Sequence, residues 1–123
     1  MQPETAAEIY SNFIVSVIEA GAAYSVRCKG DPVAVYGAGL GSFPLWPDKK
    51  NADYFVRRYW PDLRPARLTL RRLLDELPMV GVLGLPAGIG LSPWPEAVVV
   101  PAMVLFEDLV CVMELAADCL QER

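Results

Sequence analysis

"SFPLWPDKKNADYF", residues 42–55, is the stretch on which the fold turns. Proline cannot donate to a ladder, so Pro44 makes "SFPLW" an edge strand or the start of one. Asp48 offers its carboxylate to the first free amides of a helix. Ala52, Phe55, Val56 and Tyr59 then recur at i, i+3, i+4 and i+7, a core-facing stripe that Pro61 brings to an end. A strand that turns directly into an amphipathic helix is scaffold first, and its charge run is one solvated helical face.

Toward the N-terminus, residues 4–20 read as a helix. Ile9, Phe13 and Val17, with Tyr10, Ile14 and Ile18, form a broad apolar face opposite Glu8, Asn12, Ser16 and Glu19, and Gly21 is placed to stop it. "AYSVRCK" alternates Tyr24, Val26 and Cys28 against Ser25, Arg27 and Lys29, a half-buried strand pattern. A turn at Gly30-Asp31 leads into "PVAVYG", and "SFPLW" closes a three-stranded antiparallel meander. The glycine-spaced "GAGLGS", residues 37–42, runs into a strand rather than a helix, so it lacks the helical N–H groups a phosphate cradle needs and reads as a hairpin connection.

Toward the C-terminus, "RPARLTL" is an extended connection. Thr69 caps a short helix with Leu70, Leu73, Leu74 and Leu77 on one side. "MVGVLGL" reads as an apolar internal strand, "PAGIGLSPWPE" as a loop carrying Trp94, and "AVVV" as the last strand. Pro101 suits the first turn of a final helix reaching about Leu120. The order is αβββαβαββα over one domain, residues 1–123: an α+β fold with helices packed on a mostly antiparallel sheet.

This succession resembles the bacterial family catalogued as protein of unknown function 2750. The resemblance begins in "IYSNFIVSVIEAGAAYSV", is sharpest at "FPLWPDKKNADYF", and continues through "LTLRRLLDELPMVGVLGL", covering about residues 8 to 115. It implies the fold and brings no activity and no site residue with it.

Composition narrows the chemistry. The chain has no histidine, which removes the commonest general base, the commonest zinc ligand and every Ser-His or Cys-His nucleophile. Cys111 and Cys119 share one expected helix, about 12 Å apart along its axis and too far for a disulfide. With Cys28 they read as small buried hydrophobes in a reducing compartment. No cofactor or metal is expected, and enzymatic activity is disfavoured. Phe13–Ile18 is interrupted by Ser16 and has no basic region ahead of it, unlike a signal peptide. Ala97–Phe106 falls short of the roughly 20 residues that span a bilayer. The expected location is cytoplasmic, with no membrane partner.

Charge is unevenly distributed. Residues 49–72 hold eight bases against Asp53 and Asp62, whereas residues 73–123 hold eight acids against Arg123, within a net charge of −4. Solvated helix faces, partly paired with the acidic C-terminal helix, account for this most simply. An acidic protein partner is the next reading, and nucleic acid is disfavoured because the overall field repels a polyanion. The candidate binding residues are Arg57, Arg58, Arg64 and Arg67, with Trp60 beside them and Trp94 as a loop anchor. Trp46 is expected in the core, with Trp60 as its lid.

The expected function is a small protein-binding module, of which an immunity- or antitoxin-like protein acting by surface complementarity is one version. The alternative is a small-ligand protein or histidine-independent enzyme using Tyr24, Tyr36 or Arg57. A third reading is a homodimer. The final helix carries more apolar surface than one sheet face requires, with Leu105, Leu109, Val112 and Ala116 packed on the sheet. Met103, Phe106, Val110, Met113 and Ala117 are then left for a second subunit.

Overall fold

The computed structural model describes residues 5–28, 42–90 and 98–121. The expected strand "PVAVYG", its Gly30-Asp31 turn, residues 37–41 of the glycine-spaced loop, and Trp94 with its surroundings lie outside the described residues. Within them the chain is an α+β fold: α1 (Ala6–Ala20), β1 (Ala22–Cys28), β2 (Phe43–Leu45), α2 (Lys49–Tyr59), β3 (Leu63–Thr69), α3 (Leu70–Val82), β4 (Pro86–Ile89), β5 (Val98–Pro101) and α4 (Ala102–Gln121).

The helix ends follow local chemistry. Thr5, Asp48 and Thr69 cap α1, α2 and α3, each accepting from the amide three residues on: Glu8, Asn51 and Arg72. Such a bond satisfies one of the amides that helical geometry leaves free. Gly21 closes α1 in the left-handed region at φ 70°, its N–H bonded to the Val17 carbonyl.

Strand pairing differs from the expected meander. β1 pairs antiparallel with β3, from Ala22 opposite Thr69 to Cys28 opposite Leu63, so "RPARLTL" is a strand and not a connection. β2 runs parallel to β4, and β4 antiparallel to β5. One bridge joins these two sheets: Tyr24 and Trp46 each donate a backbone N–H to the other's carbonyl at 2.9 Å. The strands therefore follow one another as β3-β1-β2-β4-β5.

Backbone polarity explains both prolines. Tyr24 directs its N–H and C=O toward Trp46, so the alternating set Ala23, Ser25 and Arg27 carries the ladder to β3. Pro65 stands opposite Val26, where its missing N–H would point away from β1 at the sheet's edge. Pro44 is one pair short of Trp46 on the side of β2 that faces β1, so the β1–β2 ladder cannot extend through it. The buried Ser25 hydroxyl instead donates to the Pro44 carbonyl at 2.6 Å.

"MVGVLGL" is also corrected. α3 continues through Pro78 to Val82, because Leu73, Leu77 and Val80 form one buried stripe at i, i+4 and i+7. Its stop is Gly84, at φ 74°, with Leu85 N–H bonded to the Val80 carbonyl and Gly84 N–H to that of Gly81. The strand begins only at Pro86, inside the stretch expected to be a loop.

Two cores lie on opposite faces of the sheet. On one face Phe13 and Val17 of α1, Leu73 and Leu77 of α3, and Leu105 and Leu109 of α4 cover Phe43, Leu45 and Ile89. On the other, α2 brings Ala52 and Val56 onto Val26 and Trp46. Alternation assigns the faces: Ala23 and Leu68 belong to the first core, Tyr24, Val26 and Leu63 to the second.

α4 departs from expectation in four ways. Ala116 is exposed rather than packed on the sheet, and Cys111 is an exposed thiol rather than a buried hydrophobe. The flank assigned to a second subunit is partly covered within the chain: Met103 lies against Gly81 of α3, and Phe106 packs on the first core. Pro101 is the last residue of β5, one position ahead of the helix.

Trp46 is wholly buried, stacked on Phe55 with ring centroids 6.4 Å apart and tilted against Trp60 at 6.2 Å. Phe55 is only half-buried. Trp46→Ala is expected to cost about 3–5 kcal/mol in urea denaturation and Phe55→Ala clearly less. Equal losses would place the second core's centre elsewhere.

Candidate functional site

α2 supplies the candidate surface. Ala52 and Val56 face the sheet, and 3.6-residue periodicity turns Lys50, Tyr54, Arg57 and Arg58 outward together. These four residues and Asp53 line an open depression of about 550 Å³. A smaller pocket of about 150 Å³ lies between α2 and β3, where Asp53, Arg57 and Arg64 meet over Val56, Leu63 and Pro65. The Trp60-Pro61 turn brings Arg64 back beside Arg57.

The electrostatics are those of an incompletely neutralised basic surface. Asp53 is the one carboxylate in either lining, and it is engaged by Lys49 at 2.8 Å. That hydrogen bond and ion pair hold the Lys49 ammonium above its ordinary pKa. Among the described residues neither Arg57 nor Arg64 is in an ion pair. Among the described residues no ion pair joins Arg57 or Arg64 to the acidic C-terminal helix: α2 and α4 pack on opposite faces of the sheet, and Arg72 pairs within α3, with Glu76 at 2.9 Å.

The six candidate residues separate in space. Arg57, Arg58 and Arg64 line the two adjoining depressions. Arg67 is exposed on β3 opposite Tyr24 and lines neither. Trp60 turns inward onto Trp46 as a lid. Trp94 lies outside the described residues. Sequence reasoning passed over Tyr54, a large aromatic that is 55% exposed amid the bases. Its signal was present: it falls four residues after Lys50 and three before Arg57, on the polar side of the helix.

A second hollow, of about 320 Å³, opens where the parallel strands β2 and β4 end, lined by Asn12, Ser16, Trp46, Asn51, Phe55 and Gly90 among others. The carboxyl ends of parallel strands are the usual place for ligands in open sheets. No titratable side chain lines this one, and the Asn51 carboxamide is committed to Asp48 at 3.1 Å. It offers shape and hydrogen bonding, and no acid–base group. Tyr24 and Arg57, named for an enzymatic reading, do not line it, and Tyr36 lies outside the described residues. Among the described residues no cluster of three or more carboxylates, thiols or imidazoles can hold a metal ion, and no helix is long and apolar enough to cross a membrane.

No protein-family model matches the chain, and no curated protein matches it.

A perturbed titration lies away from the basic surface. Burial between α1 and α4 pushes the Tyr10 phenol well above its ordinary pKa, and its hydrogen bond to Asp108, at 2.5 Å, adds to the shift. A phenol raised in the folded state contributes its full stability below its unfolded pKa of about 10, and loses it as pH rises further. Urea midpoints measured on either side of about pH 10 are therefore expected to fall more steeply for the native protein than for Tyr10→Phe. Parallel curves would remove Tyr10 as the responsible group.

Proposed function

We propose that the chain is a protein-binding module whose α2–β3 surface docks an acidic segment of a partner. The observation that carries this reading is the spatial segregation of charge. Lys50, Arg57 and Arg58 line one depression with exposed Tyr54, and Arg64 joins Arg57 in the adjoining pocket where β3 leaves α2, while α4 with its acids packs on the other face of the sheet. Arginine and tyrosine are the residue types that dominate interface energetics, arginine through forked bonds to carboxylates and tyrosine through area at low entropic cost. A rigid helix presents them, so little ordering accompanies binding. An immunity- or antitoxin-like protein is the concrete version, since such a role requires a shaped, charged surface and no catalytic group. Kinship with the family catalogued as protein of unknown function 2750 belongs to the same proposal. The exposed positions of Arg57 and Arg64 make them safe to reverse. Arg57→Glu with Arg64→Glu is expected to leave the urea midpoint in place and to weaken capture of the partner from cell extract by about tenfold or more, as raised salt also does. An acidic protein that the native chain and the variant retain equally would refute this surface.

A homodimer is the second reading, favoured by one patch. Met79, Val82 and Leu83 at the end of α3 and Met103 on α4, which lies against Gly81, are all exposed. Between Leu77 and Phe106 the only charged residue is Glu96, so two copies of this end can meet without like-charge repulsion. Val82 is 82% exposed, which makes Val82→Lys a probe that spares the fold. Sedimentation equilibrium at micromolar concentration is expected to return twice the chain mass for the native protein and the chain mass for Val82→Lys. A native protein that stays monomeric at every concentration ends this reading.

A further inference from the structure

The side of the molecule opposite the basic surface carries a different feature. α1 and α4 lie against one another, tied by the Tyr10–Asp108 hydrogen bond, and a groove of about 330 Å³ runs between them. Its walls include Ile14, Val15, Cys111 and Val112. Val15 is 49% exposed, and one turn beyond Cys111 the stripe continues with Leu115, 58% exposed. Neither helix carries a lysine or arginine. Glu8 and Glu19 flank Val15 on the outer side of α1, and Glu107, Glu114 and Asp118 form the outer ridge of α4, all of them exposed. An apolar floor thus lies between two acidic rims.

We infer that this groove docks a basic amphipathic helix from another protein, with leucine-like side chains at i, i+3, i+4 and i+7 in the floor and lysines or arginines over the rims. The inference goes beyond the proposed function, because it concerns a separate surface with the opposite charge preference. Helix-in-groove recognition needs both parts of the pattern: apolar anchors supply affinity, and rim charges select the partner and its orientation. Charge argues against a second copy of this chain in a symmetric pair, which would set the acidic rims against one another. The chain's own basic helix is a poor occupant too. The apolar positions of α2, Ala52 and Val56, are buried in its own domain, leaving Tyr54 as a single anchor.

The test uses a synthetic leucine–lysine peptide of about 18 residues, five turns of helix, beside a peptide of the same composition with the leucines scattered around the wheel. Isothermal titration against the whole chain is expected to give binding about tenfold tighter for the ordered peptide. Val15→Ser with Leu115→Ser, which leaves net charge unchanged at two exposed positions, is expected to weaken it by about tenfold. Glu107→Gln with Glu114→Gln is expected to weaken it and to flatten its salt dependence. Arg57→Glu with Arg64→Glu is expected not to weaken it, which keeps failure of the basic-surface proposal separate from failure of this one. Urea midpoints confirm that each variant is folded. Absence of binding, equal affinity for the scattered peptide, or unchanged affinity in the Val15/Leu115 variant each overturns the inference, the last two leaving only unspecific attraction of opposite charges. Self-association lost on Leu115→Ser would assign the groove to a second copy instead.

Discussion

Tyr24 and Trp46 exchange a pair of backbone hydrogen bonds, and the rest of the molecule is arranged around that exchange. Without it, no ladder among the described residues joins the β1–β3 pair to the β2–β4–β5 sheet. The bridge is a single one because Pro44 has no N–H to give on the same side of β2. Ser25 takes over at that point with its hydroxyl, so the buried Pro44 carbonyl keeps a partner where a backbone amide would otherwise serve. The joint is short, buried and satisfied.

The same bridge decides how the cores are divided. Phe43 and Leu45 face α1, α3 and α4, whereas Trp46, the residue after the strand, faces α2, stacks with Phe55 and meets Trp60 at a tilt. Trp46 can do this only because its backbone is held opposite Tyr24, on the face that α2 covers. A helix on each side of a sheet has a consequence for charge. The bases of α2 and the acids of α4 are kept apart by the thickness of the sheet and both cores, beyond the screening length of about 8–10 Å at physiological salt. An excess of −4 over the whole chain therefore conceals two surfaces of opposite sign.

The site is only partly legible in the sequence, for a related reason. Arg57, Arg58 and Arg64 are legible as bases in a row, and helical periodicity puts the first two on the solvent side. Nothing in a linear reading separates Arg64, which folds back against Arg57, from Arg67, which lines neither depression. That distinction comes from the Trp60-Pro61 turn, which sets the start of β3 beside the end of α2; arginines and Pro65 obscured the alternation of Ala66 and Leu68 along the strand. Trp60 next to those bases invites a reading as a surface aromatic, while its ring is held against Trp46. The acid-rimmed groove was similarly hidden, because its walls come from helices at the two ends of the chain.

What the sequence determines by itself is local. The caps Asp48 and Thr69, the left-handed Gly21, and the stripes of α1 and α2 all depend on contacts within about one helical turn, and each was legible; the Thr5 cap is just as local and was passed over. The Gly84 stop of α3 is equally local, and was missed because Pro78 and the apolar run after it suggested a strand. The tertiary structure alone decides which strand pairs with which. β1 lies beside β3 and β2 runs parallel to β4, because those registers bury Ala23, Leu68, Phe43 and Ile89 on one face while satisfying the backbone around two prolines. Any extended segment presents much the same backbone groups to a neighbour, so short-range pattern cannot choose among partners. Burial across the whole chain makes that choice, and with it sets the basic and acidic surfaces on opposite sides.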